Sequence, residues 1–195
     1  MDISIVLIVL LVGALVTYLS GNKFASKIAL VSSIAAFGAT LLALNAYQAG
    51  DDLDVNFPWI SQLNINFALH VDGLSLVMLL LTTGLLPLII LSGFITKFEN
   101  SKSIYALMLF MGFAMAGTFL ASDGFLYYIF WEIALIPIYF IALNWGNGDL
   151  EERKKAILKF FIYTFAGSLF MLLAFIYLYT KGGSFDINKL YALQL

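Results

Sequence analysis

Six apolar stretches, each close to the length of one bilayer crossing, occupy most of this 195-residue sequence. They cover residues 3–19, 25–47, 74–96, 104–121, 124–144 and 157–179. A hydrocarbon core about 30 Å thick needs about 20 apolar residues per helical crossing. Within lipid, a lone segment can satisfy its backbone only as a helix. The pattern therefore predicts an all-α polytopic bundle of six transmembrane helices. Composition removes the soluble alternative, because 62% of residues are hydrophobic and 11% charged, whereas soluble domains keep about 25% charged residues. The first stretch is preceded by Asp2 and by no cation, so it reads as a retained span and not as a secretory leader.

The connectors orient the spans. Lys23 and Lys27 follow span one, Lys97 and Lys102 follow span three, and Arg153, Lys154, Lys155 and Lys159 follow span five. Only Lys181 and Lys189 fall on the other side, so eight of the ten cations share one face. The positive-inside rule makes that face cytoplasmic and puts both ends of the segment on the outer, periplasmic side of a bacterial inner membrane.

Several function classes drop out. Cysteine is absent and histidine occurs once, at His70, so a disulfide framework, a Cys-ligated cluster and a zinc site are not expected. Arg153 is the lone arginine and no basic stripe exists, so no nucleic-acid footprint is present. His70, at the outer interface, reads as a solvated side chain.

The outer connector over about 48–71 opens acidic, with Asp51, Asp52 and Asp54, and then alternates weakly after Pro58. It predicts a short hairpin lying on the membrane surface. Asp72, ahead of Gly73-Leu74-Ser75, is placed to cap span three, and Ser122 or Asp123 to cap span five. Small residues at helical spacing, Ala35, Gly38 and Ala39 in span two and Gly112 and Ala116 in span four, mark expected close helix contacts.

One residue is costly where it stands. Glu132 lies nine residues past Asp123, roughly 13–14 Å along a helix and so close to the bilayer midplane. Placing an acidic residue at a helix centre costs on the order of 2.5–3.5 kcal/mol on the translocon scale measured for Asp. An acid kept at that depth faces a bundle interior or a wet cavity, with a partner. Pro137 cannot donate to the carbonyl of Ile133, which loosens the turn just after Glu132 and frees an acceptor beside it. Tyr128 and Tyr139, at i−4 and i+7, share the stripe and offer hydroxyls for a water chain. Burial disfavours a charged carboxylate and a nearby cation favours it, so an approaching or departing cation would drive proton release and uptake at Glu132. The bland alternative is a neutral glutamic acid bonded to a neighbouring helix with no transport role.

The runs Phe130-Trp131-Glu132 and Leu135-Ile136-Pro137-Ile138-Tyr139 resemble the fifth span of the M-type chain of proton-pumping NADH:quinone oxidoreductase, complex I. Lys159-Phe160-Phe161-Ile162-Tyr163-Thr164 with Gly167-Ser168, and upstream Val71-Asp72-Gly73-Leu74-Ser75-Leu76, extend the likeness over about residues 59–186. The resemblance implies the N-terminal part of a fourteen-helix, antiporter-like fold built on inverted repeats. Residues 1–100 would hold spans one to three with the external loop, and 101–195 the opening of the proton-translocating domain. It also implies that Glu132 pairs with a lysine on a broken seventh helix, beyond the loop Gly182-Gly183-Ser184-Phe185-Asp186. The residues given would then be an N-terminal portion lacking that partner.

The resemblance further implies a subunit with no redox centre of its own. NADH, flavin, iron–sulfur clusters and quinone would belong to partner subunits of a respiratory complex, among them neighbouring antiporter-like chains. Two alternatives stay open: a subunit of a multi-subunit cation/proton antiporter, and a truncated piece that inserts without transporting.

Overall fold

The computed structural model describes residues 2–96 and 98–192; Lys97, one of the cations counted above, lies outside the described residues. The chain forms α1 (Ser4–Leu19), α2 (Ala25–Ala49), β1 (Val55–Ile60), a single 3-10 turn (Ser61–Leu63), β2 (Ile65–Leu69), α3 (Gly73–Ser92), α4 (Ser101–Leu120), α5 (Gly124–Trp145), α6 (Leu150–Gly182) and α7 (Ile187–Tyr191).

Five helices among the described residues, α2 to α6, are long and apolar enough to cross a membrane. The expected first span, α1, has 16 residues, a rise of about 24 Å, which is short of the hydrocarbon thickness. Helix ends also depart from the apolar stretches. The α6 helix starts at Leu150, seven residues before its apolar stretch, because Asp149 accepts from the Glu151 N–H and acids fill the first turn. Hydropathy marks where lipid would begin, whereas capping marks where the helix begins.

Hydrogen bonds between connectors establish which helix ends share a face. On one face Ser101 Oγ donates to the Asn22 carbonyl (3.0 Å), the Lys102 N–H to Asn22 Oδ1 (3.1 Å) and Trp145 Nε1 to the Glu99 carbonyl (2.9 Å). These join the α1–α2, α3–α4 and α5–α6 connectors, around which Lys23, Lys102 and Arg153 cluster. On the other face the Ile3 N–H donates to the Leu53 carbonyl (3.3 Å), so α1 begins beside the hairpin.

That hairpin pairs β1 with β2 antiparallel, with a bulge between Pro58 and Ile60, and Phe57 stacks on Phe67 at 5.0 Å. It does not stand alone. The His70 N–H donates to the Leu120 carbonyl (2.8 Å) and the Ser122 N–H to the Ala68 carbonyl (2.9 Å), which adds the α4–α5 connector as a third strand-like segment. The Gly124 N–H then donates to the Phe185 carbonyl (2.8 Å) and the Ile187 N–H to the Ser122 carbonyl (3.0 Å), bringing in the α6–α7 connector. The result is a clasp across the ends of α4, α5 and α6.

Inside the bundle α1, α2 and α4 meet on small residues. The buried face of α2 is Ala25, Ala29, Ser33, Ala36, Thr40 and Ala43, a spacing of three and four that keeps one stripe in register. Gly13 of α1 lies against it, and a Cβ added there would meet Ser32 Cβ at 2.6 Å. This corrects part of the small-residue reading. Ala39 is buried, but Ala35 is exposed and Gly38 has open space beside it. An α2 that is apolar all round gives the sequence no phase from which to choose the packed side. In span four the reading holds: Gly112 and Ala116 are both buried, and Gly112 packs against Leu86 of α3.

Candidate functional site

The α5 helix is continuous through Pro137, which is buried in it. Asp123 starts it, accepting from the Phe125 N–H (2.9 Å) and the Leu126 N–H (3.2 Å). Phe130, 4% exposed, turns toward α4, where it packs edge-on against Phe113 and over Gly117. Two residues on, a rotation of about 200° carries Glu132 to the side facing α6.

There the Ser168 hydroxyl donates to Glu132 Oε1. Ser168 is 5% exposed and Glu132 is half-buried. The same serine hydroxyl reaches the Phe165 carbonyl of its own helix at 2.8 Å. Tyr128 lies one turn before Glu132 on the same helix. Of the ion pairs among the described residues, none includes Glu132.

Tyr128 shares α5 with Glu132, and Tyr139 has a setting of its own: its ring packs edge-on against Phe140 (5.4 Å) and Phe161 (5.7 Å). Ser168 was not singled out as a site residue from the sequence. A signal existed, since it lies eleven residues from either end of the apolar stretch 157–179. A hydroxyl at that depth stands level with a mid-span acid on the adjacent helix.

Asp72 caps α3. Its Oδ1 accepts from the Ser75 N–H (2.6 Å), and Ser75 Oγ accepts from the Asp72 N–H (2.8 Å). The Ser75 N–H bond, helped by the Ser75 hydroxyl and nearby His70, holds the Asp72 carboxyl below the usual range despite some desolvation. At the clasp, Asp123 is 1% exposed and its Oδ2 accepts from the Asn66 N–H of the hairpin (3.1 Å). Burial pushes its carboxyl up, with Asp186 adding to the push, against the three backbone N–H bonds that favour the charge.

His70 is exposed, in line with the solvated reading, and also has a partner. Its Nδ1 lies 2.6 Å from Asp54 Oδ2, so it is engaged with an acid although still exposed. The pairing needs β1 and β2 in register, which the sixteen-residue separation of the two hid. Asp54, His70, Asp123 and Asp186 edge a polar cavity of about 110 Å³ at the clasp. A larger cavity, about 620 Å³, opens between α1, α4 and α5 near the basic connectors, lined mainly by Leu11, Leu15, Phe110 and Phe140; Glu132 does not line it.

Long apolar helices laced at their ends by main-chain bonds define an integral membrane protein. Residues 121–194 match the family described as NADH:quinone oxidoreductase/Mrp antiporter, transmembrane. The F(420)H(2) dehydrogenase subunit M of Methanosarcina mazei is 34% identical over 97% of this chain and 40% of its own length. The NADH-quinone oxidoreductase subunit M of Rickettsia typhi is 33% identical over 88% of this chain and 35% of its own length. The chain therefore spans well under half the length of these relatives.

Solved structures share the fold. A chain of respiratory complex I from Thermus thermophilus superposes with a TM-score of 0.82 at 23% identity, covering 97% of this chain and 39% of that one. A chain of the Mrp complex from Dietzia gives 0.81 at 18% identity, covering 96% and 20%.

Proposed function

We propose that this chain forms the N-terminal part of a non-redox membrane subunit that carries protons through Glu132, driven by electron transfer in other subunits of an NADH:quinone oxidoreductase. The observation that carries the reading is the Glu132 carboxylate, held at mid-helix by a hydroxyl of the adjoining span, in a chain whose residues 121–194 match this family. An acid is retained at that depth when its protonation serves transport. Pro137 supports the reading by freeing the carbonyl of Ile133, the residue next to Glu132, as an acceptor for water or a cation.

In this reading α1 is a sixth crossing, its short length met by local thinning of the bilayer, and spans four to six open the first of two inverted repeats. The basic connectors face the cytoplasm and the clasp faces outward, in a bacterial inner membrane. Glu132 answers to a lysine on a later, broken helix, as the resemblance implies. NADH, flavin, iron–sulfur clusters and quinone reside in partner subunits, and neighbouring antiporter-like chains flank this one in the membrane.

The test is Glu132→Gln in the full-length protein within its native membrane complex. Proton translocation should be lost or fall severalfold while electron transfer to an artificial acceptor persists. Unchanged translocation would remove Glu132 from the path.

A second reading, a cation/proton antiporter subunit driven by an ion gradient, is favoured by the fold shared with the Mrp complex chain. Co-purification separates the two. Recovery with flavin- and iron–sulfur-containing partners supports the first, and recovery with other antiporter subunits alone supports the second.

A further inference from the structure

The Ser168 hydroxyl has one proton and two acceptors within reach, Glu132 Oε1 across the helix interface and the Phe165 carbonyl in its own helix. A hydroxyl can donate once and accept at its lone pairs. With Glu132 ionised, the carboxylate accepts the serine proton, since a bond to a charged acceptor is the stronger of the two. With Glu132 protonated, the carboxylic acid becomes a donor. Its O–H then needs an acceptor, and the Ser168 oxygen is already in place if its own proton turns to the Phe165 carbonyl.

We propose that Ser168 is a positioning residue that holds Glu132 in both protonation states by reversing the direction of their shared hydrogen bond, the Phe165 carbonyl taking the serine proton whenever Glu132 is protonated. The step balances. One proton arrives at Glu132 from the transport path, the serine hydroxyl rotates about its C–O bond, and no further proton is gained or lost. The rearrangement needs a hydroxyl rotation and no movement of either helix, so the carboxyl keeps its place while its charge changes.

The local packing suits this. Ser168 is buried, so bulk water does not compete for its hydroxyl. On the Glu132 helix the side chain one turn before the pair is Tyr128, an uncharged phenol. From α6 the nearest cation in sequence is Lys159, nine residues earlier, about 13–14 Å along the helix. The carbonyl that receives the serine proton lies one turn back in the same helix, where serine hydroxyls commonly bond.

The proposal deepens the reading of Glu132 as the proton carrier, and its test does not depend on that reading. Infrared difference spectroscopy of the full-length protein in native lipid should show a protonated-carboxyl C=O band that disappears in Glu132→Gln, which assigns it. In Ser168→Ala the acid loses its acceptor and the band should move to higher frequency, while Ser168→Thr, which keeps a hydroxyl, should hold it at the wild-type position. Translocation should fall about tenfold in Ser168→Ala, the cost of one lost hydrogen bond, and recover in Ser168→Thr. A band at the same frequency in wild type, Ser168→Ala and Ser168→Thr would overturn the proposal. Translocation that survives Glu132→Gln alongside a Ser168-dependent band would instead overturn the transport reading and leave the hydrogen-bond switch standing.

Discussion

The backbone N–H of Asn66 donates to the carboxylate of Asp123 across 57 residues of sequence, at 3.1 Å. One buried side chain thus starts α5 with Oδ1 and fastens the hairpin with Oδ2. Both oxygens are used, which explains why a carboxylate sits at a nearly inaccessible place.

Replacing Asp123 by Ala should cost on the order of 2–3 kcal/mol, combining a lost cap with an unsatisfied N–H at the hairpin seam. Asp123→Asn keeps the cap and should cost less than about 1.5 kcal/mol. Thermal unfolding in detergent, followed by helical circular dichroism, ranks the two. Equal losses would mean that the Oδ1 cap contributes nothing, and no loss in either variant would mean that the clasp does not depend on this side chain.

Acid titration should separate the two capping aspartates, because their shifts have opposite signs. Asp72 is held low by its Ser75 bond, so its contribution to stability is present above the unfolded value of about 3.9 and is lost as pH falls through the lower folded value. Asp123 is held high by burial. Its contribution is complete below about 3.9 and is lost as pH rises through the folded value. Asp72→Asn should flatten the acid-side loss of thermal midpoint, and Asp123→Asn should flatten the decline on the other side.

Gly117 of α4 lies against the ring of Phe130 with no room for a Cβ. Gly117→Ala should destabilise the α4–α5 contact by about 1–3 kcal/mol, the range for overpacked cores. Gly38→Ala, with open space around it, should be neutral within about 0.5 kcal/mol. Matched unfolding curves for the pair test the packed stripe. A costly Gly38→Ala would mean another surface packs there.

Thr83 Oγ1 of α3 is within donating distance of Thr40 Oγ1 of α2 at 3.2 Å and of its own Leu79 carbonyl at 2.7 Å, all buried. Interhelical hydroxyl bonds in membrane proteins average about 0.6 kcal/mol. Thr83→Val should therefore cost less than about 1.7 kcal/mol, the largest value seen for such bonds. A double-mutant cycle with Thr40→Val measures the coupling directly.

Five of the six expected spans were legible, because a span is a property of depth along a single segment. Glu132 stands out since nothing else ionisable lies at its level. Ser168 was harder to find, because a serine is cheap in a helix and its meaning depends on which neighbour it faces. The packed side of α2 was illegible at Ala35 and Gly38 for a related reason: lipid and protein interior are both apolar, so hydropathy carries no phase. The partner of the exposed His70 was hidden because Asp54 is near only after the hairpin closes.

The clasp has a consequence for how the connectors tolerate change. Its bonds at Ala68, Leu120, Ser122, Gly124, Phe185 and Ile187 run between main-chain groups, and a main-chain amide is the same in every residue except proline. At the half-buried Ser122 and Ile187 a side chain can be exchanged with the lacing bond kept, whereas a single proline at either would remove a donor that no side chain replaces. A proline scan of the connectors would map the lacing more sharply than an alanine scan.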